Sequence, residues 1–138
     1  MNAHAFPFRA QEPAVTLNLL TPDPFAPTPS PTPSGRRATL LVDTGFSDYL
    51  QLDWETFLAL DLQQHATGTI ESKLADGSSV TDLVAAVRVV IPECGVDAVL
   101  RCISSPGYGE ELLLVGGRFL KERRAVIDYL QERTTLSG

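Results

Sequence analysis

Proline placement constrains this chain more than any other feature. Eight of the ten prolines lie between Pro7 and Pro33, and six of those crowd into the stretch from Pro22 to Pro33. Proline lacks the amide proton that a sheet ladder or a helix interior requires, so that stretch is neither a central strand nor a helix. It reads as an extended, polyproline-like surface loop over residues 21–35. Just before it, Ala14–Leu20 alternates as a strand does, and just after it Ala38–Asp43 is an apolar run ending in a carboxylate. The loop is therefore an insertion between the first two strands, which is tolerated because loop-closure entropy grows slowly with length. A docking ligand for an aromatic groove is the functional alternative, and a spacer the simpler one.

Past the insertion the pattern is mainly β. Leu50–Leu52 is a short strand candidate, and Asp53 is placed to cap a helix over Trp54–Leu60, with Trp54, Phe57 and Leu58 on one face. Segments 70–75 and 78–84 flank Asp76-Gly77, a two-residue hairpin signal, because both turn positions tolerate positive φ. Residues 84–91 form a β-branched stretch stopped by Pro92, residues 93–95 turn, and residues 96–103 return. A glycine-containing loop over 104–111, a buried-type strand over 112–115, a helical turn or two over 118–123 and a last strand over 125–130 complete the chain. Many short strands at near-regular spacing predict a small, mostly β closed barrel with one or two short helices.

The chain has 138 residues, which fits one domain: a tail over 1–12 and a single folded unit over 13–138. Its formal charge of −6 disfavours nucleic acid, whose phosphates are held by clustered Lys and Arg. The basic residues Arg118, Lys121, Arg123 and Arg124 are interleaved with Glu122, Asp128 and Glu132 and read as a solvated mixed-charge face. No apolar run is long enough to cross a bilayer, and the first residues lack signal-peptide character, so a cytoplasmic location is expected. Cys94 and Cys102 stand apart with no ligand partners nearby, so no metal and no cofactor are expected, only two reduced thiols.

Asp43-Thr44-Gly45 is the triplet that carries chemistry. A carboxylate ending a buried strand is costly unless something pairs with it or uses it. By itself the triplet is also an ordinary strand-ending turn, with Asp bonding local amides and Gly supplying positive φ. Its order relative to other elements favours the first reading. The Asp-Gly hairpin follows about thirty residues later, and then Leu113-Leu114-Val115-Gly116, Phe119-Leu120 and Val126-Ile127-Asp128.

In this order the pieces resemble the retropepsin-like aspartic proteases, most closely their bacterial single-domain members, over residues 13–130. The resemblance implies a retropepsin-type barrel in which Asp43, Thr44 and Gly45 form the catalytic loop. Phe46, Ser47, Asp48, Leu74, Ala75, Asp76, Gly77 and Val115 would bind substrate, the hairpin at Asp76-Gly77 acting as a lid over an extended polypeptide. The family needs two facing aspartates, and this chain carries one triplet, since Ala66-Thr67-Gly68 has alanine at the critical place. A homodimer with one Asp43 from each chain is therefore expected, with Thr44 bonding across the two-fold axis and Gly45 leaving room for substrate. The family's arginine after Leu114-Val115-Gly116 is replaced by Gly117, and Asp48 is expected to pair with Arg118 instead. The alternative is the same fold kept as a dimerising or peptide-binding module with little turnover.

Overall fold

The computed structural model describes residues 3–22, 35–73 and 75–138. The expected proline-rich loop falls almost wholly outside these residues, as does Leu74. In chain order the elements are β1 (Ala3–Pro7), β2 (Ala14–Leu20), β3 (Gly35–Val42), β4 (Leu50–Gln51), α1 (Trp54–Ala59), β5 (Gly68–Lys73) and β6 (Ser79–Ile91), followed by β7 (Val96–Ser104), β8 (Leu114–Val115), α2 (Gly117–Lys121), β9 (Arg124–Asp128) and β10 (Arg133–Ser137).

The principal sheet runs β2-β3-β8-β4-β7-β6-β5 and closes on itself where β2 pairs with β6, Leu19 opposite Val89. Six strands thus form a barrel, with β5 attached to β6 as an outlying hairpin arm. Two pairings are parallel, β3 with β8 and β4 with β7, which only crossover connections can produce. The barrel is filled by Val15, Leu17 and Leu19 of β2, Leu40 of β3, Val87, Val89 and Ile91 of β6, and Phe57 and Phe119 of the two helices, all fully buried. Alternation along β2 and β6 sends every second side chain inward, so the apolar period of two specifies this core.

The structure departs from five of these expectations. The first residues are not a tail: β1 joins β10 and β9 in a three-stranded sheet, and Phe6, 3% exposed, enters the same core as Leu136. Only Phe6 in Ala3–Pro7 is buried, so the segment carries no alternation long enough to announce a strand. A tight turn at Ala10 and Gln11, both with positive φ, brings the chain back toward β2. The last strand of the expected layout is really a hairpin, β9 and β10.

Asp53 occupies the N-cap position of α1, yet its side chain makes no capping bond; the chain instead places this carboxylate inward, 3% exposed. Trp54 stacks on Phe57 at 5.5 Å, while Leu58, expected on the same face, is 42% exposed because the inward face of α1 runs through Thr56 and Phe57. Finally, Arg123 is no part of a solvated face. Its guanidinium lies 4.0 Å over the Phe119 ring and donates to the Phe119 carbonyl, and its burial lowers its affinity for a proton. Cys94 and Cys102 are both free and buried, the latter pushed up to about 12 by burial.

Candidate active site

The loop after β3 is held from beneath by β8 and the two glycines that follow it. β3 and β8 run side by side as far as Val42 and Val115, and the Asp43 amide then donates to the Val115 carbonyl at 3.0 Å. The chain turns at once: the Phe46 amide donates to the Asp43 carbonyl at 3.1 Å, and the Gly45 amide donates to Asp43 Oδ1 at 3.0 Å. On the far side of the loop the Gly116 amide donates to the Tyr49 carbonyl at 2.9 Å and the Gly117 amide to the Phe46 carbonyl at 2.7 Å. Four backbone bonds, and a fifth to the Asp43 carboxylate, thus fix a seven-residue excursion at both ends and in the middle.

Gly45 has no positive φ, so an ordinary turn does not explain the glycine. What a side chain there would meet is Asp43 itself: a Cβ would stand 3.3 Å from Oδ1. Gly116 is more tightly constrained, since a Cβ would fall 2.2 Å from the Asp48 carbonyl oxygen and 2.6 Å from that of Phe46. Glycine at 116 is what lets the two backbone segments touch.

Of the residues expected at the site, Asp43, Thr44, Gly45, Phe46, Ser47 and Asp48 share this loop, with Asp43 and Phe46 half-buried and Thr44, Gly45 and Ser47 exposed. Val115 is fully buried under the loop and contributes its carbonyl to Asp43, so within this chain it supports the loop. Asp48 is braced, but not by Arg118. Arg101 Nε lies 3.1 Å from Asp48 Oδ2, while the Tyr49 amide donates to Oδ1 at 2.8 Å. Arg118, the second residue of α2, instead lies over the Tyr49 ring at the end of the loop, 5.2 Å from its centroid. The Tyr49 hydroxyl donates to Glu122, which raises its pKa.

The hairpin between β5 and β6 has Lys73 paired with Ser79, so its connection spans residues 74–78, longer than the two-residue turn expected. Gly77 takes the left-handed conformation, φ 87°, and Asp76 Oδ1 accepts from the Ser78 amide at 2.9 Å and from the Ser78 hydroxyl. These two bonds hold the Asp76 carboxyl below its ordinary range. Ala75, Asp76 and Gly77 are all exposed, and among the described residues no hydrogen bond ties them to the Asp43 loop.

At the root of this hairpin lies a cluster the residue pattern did not reveal. Asp82 of β6 is fully buried and its Oδ2 accepts from the Ser72 hydroxyl of β5 at 2.9 Å. Burial first, then the neighbouring Asp82, push the Tyr108 hydroxyl well above its usual range. The lone acid inside the apolar run of residues 80–91 was the available signal. Among the described residues no group of three or more His, Cys, Asp or Glu could hold a metal ion. No helix among them is long and apolar enough to cross a membrane.

Comparison with solved structures finds similarity to an EIAV protease in complex with the inhibitor HBY-793. The match has a TM-score of 0.50 and 16% identity, and covers 82% of this chain and 88% of that one. No family model matches the chain, and no curated protein matches it in sequence. The likeness at this identity concerns the fold: a small closed β barrel of the retroviral protease type with two short helices.

Proposed function

We propose that the chain is one half of an aspartic endopeptidase, completed when a second copy sets its own Asp43 beside the first. The observation that supports this reading most is the Asp43 loop itself: a half-exposed carboxylate oriented by the Gly45 amide and held by β8 and the Gly116-Gly117 turn. Such investment in backbone bonding fixes a side chain in place, as catalysis requires.

In the completed pair the two carboxylates share one proton, because like charges in contact cannot both ionise at ordinary expense. The ionised one takes a proton from a water as that water attacks the scissile carbonyl, and the protonated one donates to the developing oxyanion. Gly45 leaves the space beside Oδ1 open, and Thr44, exposed at the loop tip, reaches the partner loop. The β5–β6 hairpin lies over an extended polypeptide and supplies backbone groups and shelter from water. The brace at Asp48 favours catalysis over a module that has lost it, since Arg101 fills the place of the displaced arginine. Asp43→Asn is expected to abolish cleavage of a denatured protein substrate while the fold, followed by circular dichroism, is unchanged. Retained cleavage overturns the proposal.

A further inference from the structure

Within the three-stranded sheet the order is β1-β10-β9, so β9 stands at an edge. Among the described residues no strand pairs with its outer side, leaving a row of backbone donors and acceptors for another chain. Edges of this kind are blunted by proline, a bulge or charged side chains; β9 has no proline or bulge, and its charges stand only at its two ends, in the order Arg124-Ala125-Val126-Ile127-Asp128. Arg124, Val126 and Asp128 are exposed on one face, with Val126 at 49%, and the turn that follows exposes Tyr129 at 69% and Leu130 at 98%.

We propose that β9 is the strand through which two copies of this chain join, antiparallel, about a two-fold axis at Val126. The charge order makes this edge complementary to itself. With Val126 facing its own counterpart, Arg124 stands opposite Asp128 of the second copy, and Asp128 opposite Arg124, so both ends carry opposite charges. Ala125 and Ile127, half-buried on the inner face, then face each other across the axis. The pairing extends β1-β10-β9 into a continuous six-stranded sheet, and Tyr129 and Leu130 carry apolar contact past the strand ends. Because β1 and β10 already occupy the inner side of the sheet within one chain, the join needs no exchange of termini. The proposal rests on the two-chain reading of Asp43 for its consequence, but it is tested by association alone.

Sedimentation velocity over a concentration series, with the full chain, measures it. Arg124→Asp or Asp128→Arg alone places like charges opposite at both ends and is expected to weaken association about ten- to a hundredfold. The double variant, Arg124→Asp with Asp128→Arg, restores opposite charges and association near wild type. An equal mixture of the two single variants is expected to associate more tightly than either one alone, a result that general damage to the fold cannot produce. Wild-type association that neither single variant weakens, or weakening that neither the double variant nor the mixture rescues, overturns this interface while leaving the two-chain reading standing. A wild-type chain that stays monomeric at every concentration overturns both.

Discussion

Gly116 and Gly117 are adjacent and similar in sequence, yet the structure assigns them opposite sensitivities to a single added methyl group. At Gly116 a Cβ falls 2.2 Å from the Asp48 carbonyl oxygen and 2.6 Å from that of Phe46, both backbone atoms that cannot swing aside. Relief requires the loop and β8 to separate by about an ångström, and overpacking of this kind costs about 1–3 kcal/mol. The separation also stretches the bonds from Gly116 to Tyr49 and from Gly117 to Phe46, each contributing about 1 kcal/mol. Gly116→Ala should therefore destabilise the chain by about 3–5 kcal/mol, a large part of the total stability of an ordinary domain. At Gly117 the nearest atoms to a Cβ are the Phe46 and Thr44 carbonyl oxygens at 3.6 and 3.8 Å, which is ordinary contact. Gly117 also begins α2, where alanine is the better helix former by up to about 1 kcal/mol, so Gly117→Ala should be neutral or slightly stabilising. Urea denaturation of both variants at one chain concentration, followed by circular dichroism, reads the difference. A Gly116→Ala variant within about 1 kcal/mol of wild type, or a Gly117→Ala variant as damaged as it, would refute the claim that the two backbones are locked at residue 116.

Arg101→Ala should lower cleavage activity by loosening Asp48, with a smaller effect on stability of about 1 kcal/mol, whereas Arg118→Ala should leave activity near wild type; equal effects would show that the Asp48 brace is not Arg101. Phe6→Ala should cost about 3–5 kcal/mol by thermal or urea unfolding, because its ring is buried against the core; a negligible change would return the first residues to a tail. The hairpin tip should be pH-sensitive in one direction. Asp76 has its carboxyl below the usual range, so its bonds to Ser78 are complete at neutral pH and are lost as the medium is acidified below that range. Exchange of the Ser78 amide, followed by NMR, should keep its protection relative to its neighbours through the ordinary carboxylate range and accelerate only below it, and protection already lost within that ordinary range would contradict it.

Local chemistry made the barrel legible and hid its additions. Long β-branched runs, Pro92 and the Asp76-Gly77 pair announce β6, β7 and the hairpin, because alternation and turn residues act over a few positions. β1 was not legible: a single buried side chain, Phe6, has no period, and its partner strand β10 lies at the other end of the chain. Within the site, Asp43-Thr44-Gly45 stood out because a carboxylate closing an apolar run is unusual, and the place of Gly116 behind it followed from order along the chain. The partner of Asp48 did not. Arg101 is some fifty residues away in sequence and reaches Asp48 because β4 pairs with β7, a tertiary fact with no local signature. Arg118, the nearer arginine by motif, lies over Tyr49 from the start of α2. The Asp82, Ser72 and Tyr108 cluster likewise needs three segments to meet before it exists.

In the reading proposed above, each chain supplies one carboxylate to a shared reaction centre. Wild-type chains mixed with Asp43→Asn chains at constant total concentration, allowed to exchange and assayed on a denatured protein, test it most directly. If both partners must contribute Asp43, an equal mixture keeps about a quarter of wild-type activity, as only pairs of two wild-type chains are whole. If one chain holds a complete site, the mixture keeps about half, which contradicts a site shared between chains.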